Sequence, residues 1–266
     1  MKLKFSGAKG RGLTRRFFES ALLISALLLA PIFAHAETLT VAVAANMKFA
    51  FGDLAAAFTK ESGIAIRPIY GASGKIVAQV REGAPYDVFL AADTEFPAKL
   101  VESGQAVAQP KIYAHGKLVL WMRDDKSAPD LLAALRDARI KKIAIADPKL
   151  APYGVESLKA LDKLGLKTAL APKLVYAEDV AQVVQFVDSG NADAGLTAKS
   201  LVAAPENAGR GKWMDVPATV YTPIAQSAVI LKHGQSEHGA AARKFYDFLY
   251  SAKARAILEK FGYGVP

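Results

Sequence analysis

From Glu37 onward the chain alternates short runs of β-branched and apolar residues with longer stretches whose apolar residues recur at helical spacing. "TLTVAVA" (38–44), "IAIRPIY" (64–70) and "YDVFLAA" (86–92) read as strands. Met47, Ala50, Phe51, Leu54, Ala57 and Phe58 predict a helix between the first two, and Ile76, Val77 and Val80 predict another over roughly 74–82. Asp93 is placed to cap a short helix containing Phe96 and Leu100. This is the βαβ rhythm of a parallel sheet covered on both faces. A second series begins at "KLVLWM" (117–122). It continues through a helix over about 129–137, "KIAIAD" (142–147), a helix from about 154, "KLVYA" (173–177), a helix from Val180 and "DAGLT" (193–197). "TPIAQSAVIL" (222–231) returns the chain, and helical segments at about 236–250 and 252–261 finish it. The economical arrangement is α/β and two-lobed, each lobe a mainly parallel sheet flanked by helices. Residues 37–117 and 224–266 form the first lobe and 118–223 the second. Extended crossings near 113–118 and 221–225 join them beside a cleft.

The first 36 residues follow a different logic. Lys2, Lys4, Lys9, Arg11, Arg15 and Arg16 precede the apolar run "ALLISALLLAPIFA", and Ala34 and Ala36 frame a cut before Glu37, as in a secretory signal. That run, about 14 residues, is short beside the roughly 20 of a membrane span. "TRRFFES" also fits a twin-arginine export signal, and the ordinary Sec reading stands beside it. The full chain holds 34 basic and 25 acidic residues. Removing the segment's six basic residues and one acidic residue (Glu19) leaves 28 and 24, a net charge of +4. The remaining lysines and arginines are scattered among acids, so no nucleic-acid surface is expected. With no cysteine in the chain, disulfides and thiolate metal sites are excluded and the core must hold the fold.

Four strands end in the same local event, in which a small or capping residue turns the chain and a helix begins. The turns are Ala45-Asn46, Ala72-Ser73, Ala151-Pro152-Tyr153 and Glu178-Asp179 before Val180. Free N–H groups and the positive dipole end at such a turn favour an anion, and open α/β sheets bind ligands at that edge. Each turn taken singly also reads as a surface helix capped by Asn46, Ser73 or Asp179. "GASGK" (71–75) fails as a phosphate loop, because Ile69 stands where the first glycine belongs and Ile76 where a Ser or Thr must ligate magnesium. It fails as a nucleophile elbow because Lys75 replaces the second glycine. Beyond the export segment the only histidines are His115, His233 and His238, the last two in the polar stretch "KHGQSEHG". No histidines and carboxylates stand at metal-ligand spacing, so no metal site is expected. What fits is an anion cradle, with a hydroxyl at Ser73, an amide at Asn46 and backbone N–H groups around Tyr153 and Val180.

Taken together, "TVAVAAN", "YGASGKIVAQVREGAPYDVFLAAD", "ADPKLAPYGVESLKAL", "AEDVAQVV" and "FYDFLYSAKARAILEKFGY" resemble, in order and over nearly the whole chain after residue 36, the periplasmic molybdate-binding proteins of ABC importers. The resemblance implies a type II periplasmic binding fold closing on molybdate or tungstate. It also implies periplasmic localisation, a monomer that delivers its anion to a membrane permease, and neither cofactor nor catalysis. The family's first-lobe hydroxyl falls on Ser73 and its second-lobe backbone donors fall on Tyr153 and Val180. Another first-lobe serine of the family corresponds to Asn46, and a second-lobe tyrosine that reaches the anion corresponds to Ala198. The ring of Tyr153 is either a substitute donor or a shield over the cleft. A receptor for sulfate or another small anion, and a serine hydrolase acting through Ser73, are the competing readings.

Overall fold

The structure is a computed structural model and describes residues 1–4, 37–123 and 129–266. The expected export segment lies almost entirely at 5–36, outside the described residues. The chain divides into two units, Met1–Ala36 and Glu37–Pro266. Of the first unit, residues 1–4 are exposed and without regular structure.

Within the second unit the strands are β1 (Thr38–Ala44), β2 (Ala65–Gly71), β3 (Val88–Leu90), β4 (Lys111–Gly116), β5 (Leu118–Met122), β6 (Ile143–Ala146), β7 (Leu174–Ala177), β8 (Ala194–Ala198), β9 (Lys212–Asp215) and β10 (Ile224–Ile230). The helices are α1 (Ala50–Ser62), α2 (Ser73–Arg81), α3 (Glu95–Glu102), α4 (Leu131–Arg136), α5 (Pro152–Lys163), α6 (Lys167–Leu170), α7 (Val180–Asp188), α8 (Lys199–Val202), α9 (Lys232–Glu237), α10 (Gly239–Phe248) and α11 (Ala252–Lys260). Two five-stranded sheets result, in the orders β2-β1-β3-β10-β4 and β7-β6-β8-β5-β9. The two sheets share one plan. Three parallel strands lie at one side, a reversed strand follows, and an edge strand pairs antiparallel to it. The reversed strand in each sheet, β5 or β10, is the one the chain enters after leaving the other sheet.

Alternation along the strands explains how the first sheet is covered on both faces. Leu39, Val41, Val43, Val88, Leu90, Ala228 and Ile230 face one core with Phe51, Phe58, Phe245 and Phe248 from α1 and α10. Ala42, Phe89 and Val229 face the opposite core with Ile76, Val77 and Leu100 from α2 and α3. The aromatic side chains interlock edge to face, Phe58 and Phe245 having ring centroids 5.1 Å apart. A third core joins β5, β6 and β8 to α5 and α7 and reaches Ala44, Ala72 and Ala92 of the first lobe.

Of the four edge strands, β4 and β9 were not anticipated as strands, since both owe their pairing to a neighbour distant in sequence. The expected helix at 236–250 breaks at His238, whose backbone is non-helical (φ −134°, ψ 36°) and whose ring is bonded to Asp87. Among the described residues no helix is long and apolar enough to cross a membrane.

Candidate functional site

All four strand-to-helix turns meet at one place. A small cavity is walled by Ala44, Ala45 and Asn46, by Gly71, Ala72 and Ser73, by Ala151, Pro152 and Tyr153, and by Asp179 and Val180, with Ala92 closing the side. The cavity is partly open to solvent and leaves room of only about 10 Å³ for the centre of a water-sized group. Asn46, Ser73, Tyr153 and Val180, the four residues singled out from the sequence, all belong to it. Ala198, at the end of β8, is fully buried and does not line it.

The first-lobe turns follow β1 and β2. Ala45–Met47 is a 3-10 turn preceded by Ala44, and Ser73 opens α2 after Ala72. Neither Asn46 nor Ser73 is therefore the capping residue of its helix. Ser73 is buried, and its Oγ accepts the backbone N–H of Ala92 at 3.1 Å. Its own hydroxyl proton remains available to an acceptor in the cavity.

Asn46 was expected to offer its amide to an anion. Both amide protons are instead spent within the wall, Nδ2 donating to Gln226 Oε1 (2.9 Å) and to Tyr263 Oη (2.8 Å). The cause is a polar network behind the cavity. Tyr113 Oη donates to Gln226 Oε1 (3.0 Å), Gln226 Nε2 donates to Tyr153 Oη (3.3 Å), and Tyr263 Oη donates to the Asn46 carbonyl (3.0 Å). Asn46 Oδ1 is buried and finds no donor among the described residues. What Asn46 presents to the cavity is main chain at the start of a helical turn, where N–H groups lack intrahelical acceptors.

The second-lobe turns work through the backbone. Pro152 occupies the first position of α5, whose fixed φ suits a helix start, and the N–H of Tyr153 follows. At α7 the Asp179 side chain caps the helix, Oδ1 accepting from Ala181 N (2.8 Å) and Gln182 N (3.0 Å). That leaves the N–H of Val180 outside the cap, while its carbonyl accepts from Thr197 Oγ1 at 2.9 Å. The Tyr153 ring is fully buried, and burial together with Tyr263 and Tyr113 holds its phenol well above the usual range, so it stays protonated. Its oxygen turns to Gln226, under the crossings between the lobes.

Among the described residues lining the cavity, Asp179 is the only charged one, and there is no lysine, arginine or histidine. Ser73 therefore has neither a histidine nor a lysine among the residues lining the cavity with it to act as the general base of a serine nucleophile. An anion held here would be balanced by helix ends and one hydroxyl, each charge-assisted hydrogen bond contributing about 1.5–3 kcal/mol.

The lobes touch around the cavity. Gly74 N donates to Leu150 O at 2.9 Å, Ser200 Oγ donates to Asn46 O at 2.9 Å, and Lys75 pairs with Glu178 at 2.7 Å on the rim. A Cβ on Gly74 would lie 2.9 Å from the Phe96 ring and 3.1 Å from Leu150 O, so a side chain there would crowd this approach of the two main chains. Just behind the site, burial pushes the Asp93 carboxyl up to about 6.

Gln226, Tyr113, Tyr263 and Ser200 escaped the sequence reading. The available signal was the polar pair Gln226-Ser227 inside an otherwise apolar strand, both residues fully buried. Sequence spacing likewise gave no hint that Asp87, His233 and His238 bring potential ligand atoms within 4.8 Å of one another, at a place that shares no residue with the cavity.

Residues 39–264 match the family model for bacterial extracellular solute-binding proteins. The chain is 41% identical over 231 residues to the molybdate-binding protein ModA of Rhodobacter capsulatus, covering 86% of this chain and 89% of that one. Its structure is similar to the periplasmic molybdate-binding protein of Azotobacter vinelandii, with a TM-score of 0.80 and 35% identity over 86% of this chain and 99% of that one. The sulfate-binding protein SubI of Mycobacterium tuberculosis shares the fold at a TM-score of 0.73 and 18% identity, covering 85% of this chain and 86% of that one.

Proposed function

The chain belongs to the bacterial extracellular solute-binding proteins, and from that premise we propose that it captures molybdate, with tungstate as a close substitute, and delivers it to the membrane permease of an ABC importer. The observation that carries the reading is the convergence of four helix-starting turns, two from each lobe, on one cavity with no basic side chain in its described wall. Such a site suits a compact, fully ionised tetrahedral anion whose oxygens can each meet a fixed N–H or O–H donor. Similarity to molybdate-binding proteins from two bacteria favours molybdate over other oxyanions of that shape.

In this reading Ser73 donates its hydroxyl, and Asn46, Tyr153 and Val180 donate backbone N–H groups. The lobes, 37–117 with 224–266 and 118–223, hinge at the two crossings, because neither half-site alone supplies enough donors. The two crossings are tied together by Tyr221 Oη, which accepts the N–H of Leu118 at 3.3 Å, so they bend as a unit. Residues 1–36 direct export to the periplasm, where the protein acts as a monomer.

Calorimetric titration with molybdate, tungstate, sulfate and phosphate tests the proposal, alongside thermal unfolding. At a ligand concentration 100 times the dissociation constant, molybdate should stabilise the fold by about 2.7 kcal/mol. Stabilisation by sulfate and none by molybdate would overturn the choice of anion, and an interlobe angle unchanged by ligand in solution scattering would overturn the hinge.

A further inference from the structure

Asp87 stands just before β3, with its side chain 1% exposed. One oxygen, Oδ2, accepts the backbone N–H of Thr40 at 2.6 Å, which fixes the carboxylate plane. The other, Oδ1, lies 2.9 Å from His238 Nδ1 and 3.7 Å from His233 Nε2. A hydrogen bond accounts for the first distance. The second is too long for one, yet it matches the separation of two ligands on a tetrahedral ion, about 3.4 Å when each bond is about 2.0–2.1 Å.

Local structure holds the trio in place. Gly234 runs against the Asp87 main chain so closely that a Cβ there would sit 2.3 Å from Asp87 O, which pins α9 and carries the adjacent His233 over the carboxylate. His238 closes α9, its backbone N–H donating to Gly234 O at 3.0 Å. Both imidazoles are about one-third exposed (37% and 32%), so an ion can reach them from solvent and retain water in its remaining positions. Glu37 and Glu237 lie near enough to act on His238 electrostatically and add to the negative field.

We propose that Asp87, His233 and His238 form a second ligand site, for a late first-row divalent cation of which zinc is the type, at the start of β3 and separate from the anion cavity. Two imidazole nitrogens and one carboxylate oxygen favour zinc, cobalt, nickel or copper over magnesium or calcium, which prefer all-oxygen shells. The Thr40 N–H supplies the outer support that ligating carboxylates require. The bound ion would tie α9 and the start of α10 to the first sheet.

The test uses the untagged full chain stripped with chelator, titrated with Co²⁺ by its visible absorption and with Zn²⁺ by calorimetry. One ion should bind per chain, and His233→Ala and His238→Ala should each weaken binding at least tenfold, since even loss of an outer-shell partner costs about 10- to 100-fold. Asp87→Asn also disturbs the Thr40 contact, so the two histidine variants decide the matter. Molybdate affinity should stay unchanged in both, because neither histidine lines the cavity. Absence of saturable Co²⁺ or Zn²⁺ binding overturns the proposal. So does wild-type metal affinity in both variants, which would place the ion on His35 or His115, and so does a loss confined to one variant.

Discussion

The two halves of the cavity use the same strand-to-helix turn but stand on different supports. Behind the first-lobe half lies a buried polar network in which Asn46, Tyr113, Gln226 and Tyr263 bond to one another, with Asn46 Oδ1 lacking a donor among the described residues, and Ser73 adds a hydroxyl braced by the N–H of Ala92. Behind the second-lobe half there is mainly backbone, with Pro152 starting one helix and the Asp179 carboxylate capping the other. Equal geometry does not mean equal tolerance. Side-chain changes in the first lobe remove donors or strand buried polar groups, whereas the second lobe keeps its N–H groups whatever side chains they carry.

The sharpest way to break that comparison is Gln226→Leu. It removes one of the two acceptors of the Asn46 amide, leaves Tyr113 with only the long 3.4 Å bond to Ala91 O and takes the donor from Tyr153, and a buried group left without its partner costs about 1–3 kcal/mol. A stability loss of about 3 kcal/mol or more is expected in denaturant unfolding; a loss below about 1 kcal/mol would show that the network is not a support.

Ser73→Ala comes next. It should weaken molybdate binding by about 1.5–3 kcal/mol, on the order of ten- to 150-fold, while Ser103→Ala, a change on the exposed end of α3, binds as wild type. Equal affinities in the two variants would remove the Ser73 hydroxyl from the site.

Tyr153→Phe sharpens the claim about the second lobe. It deletes the bond from Gln226 but keeps the backbone N–H, so a stability loss of about 0.5–1.5 kcal/mol is expected with little loss of anion affinity. A hundredfold loss of affinity would make the ring hydroxyl a direct donor and erase the contrast between the lobes.

A smaller effect concerns pH. The Asp93 carboxyl, at 3.8 when unperturbed, is raised to about 6 by burial, so the folded state holds its proton more tightly than the unfolded state does. Its stabilising contribution is complete below about pH 4 and is lost as pH rises through about 6. Stability curves for the parent chain and Asp93→Asn should diverge in that direction, and parallel curves would contradict the burial argument. The smallest effect belongs to Glu178→Ala on the rim. The Lys75–Glu178 pair is exposed on both sides and screened by solvent, so its loss should leave the unfolding midpoint almost unchanged, and any small shift should vanish at high salt.

Much of this molecule was legible before any coordinates. The strand-and-helix alternation pointed to a two-lobed α/β fold, and the small or capping residues after four strands pointed to Asn46, Ser73, Tyr153 and Val180. Periodicity and capping are local, so a linear reading reaches them. It did not reach β4 and β9, which become strands only by pairing with β10 and β5. Nor could it see that Asn46 spends its amide on Gln226 and Tyr263, residues 180 and 217 positions away.

The line between the two kinds of knowledge follows the range of the forces. Backbone sterics, side-chain alternation and helix dipoles act within a few residues, and so most strands and helices and the four strand-to-helix turns could be read along the chain, while the strands β4 and β9 and the break at His238 could not. The pairing of distant polar groups depends on which buried surfaces meet once the chain has condensed. Only the condensed fold brought the four turns to one cavity, set a connected side-chain network behind its first-lobe half against the separate Asp179 cap and Thr197 contact of the other, and laid Asp87 beneath two histidines far along the chain.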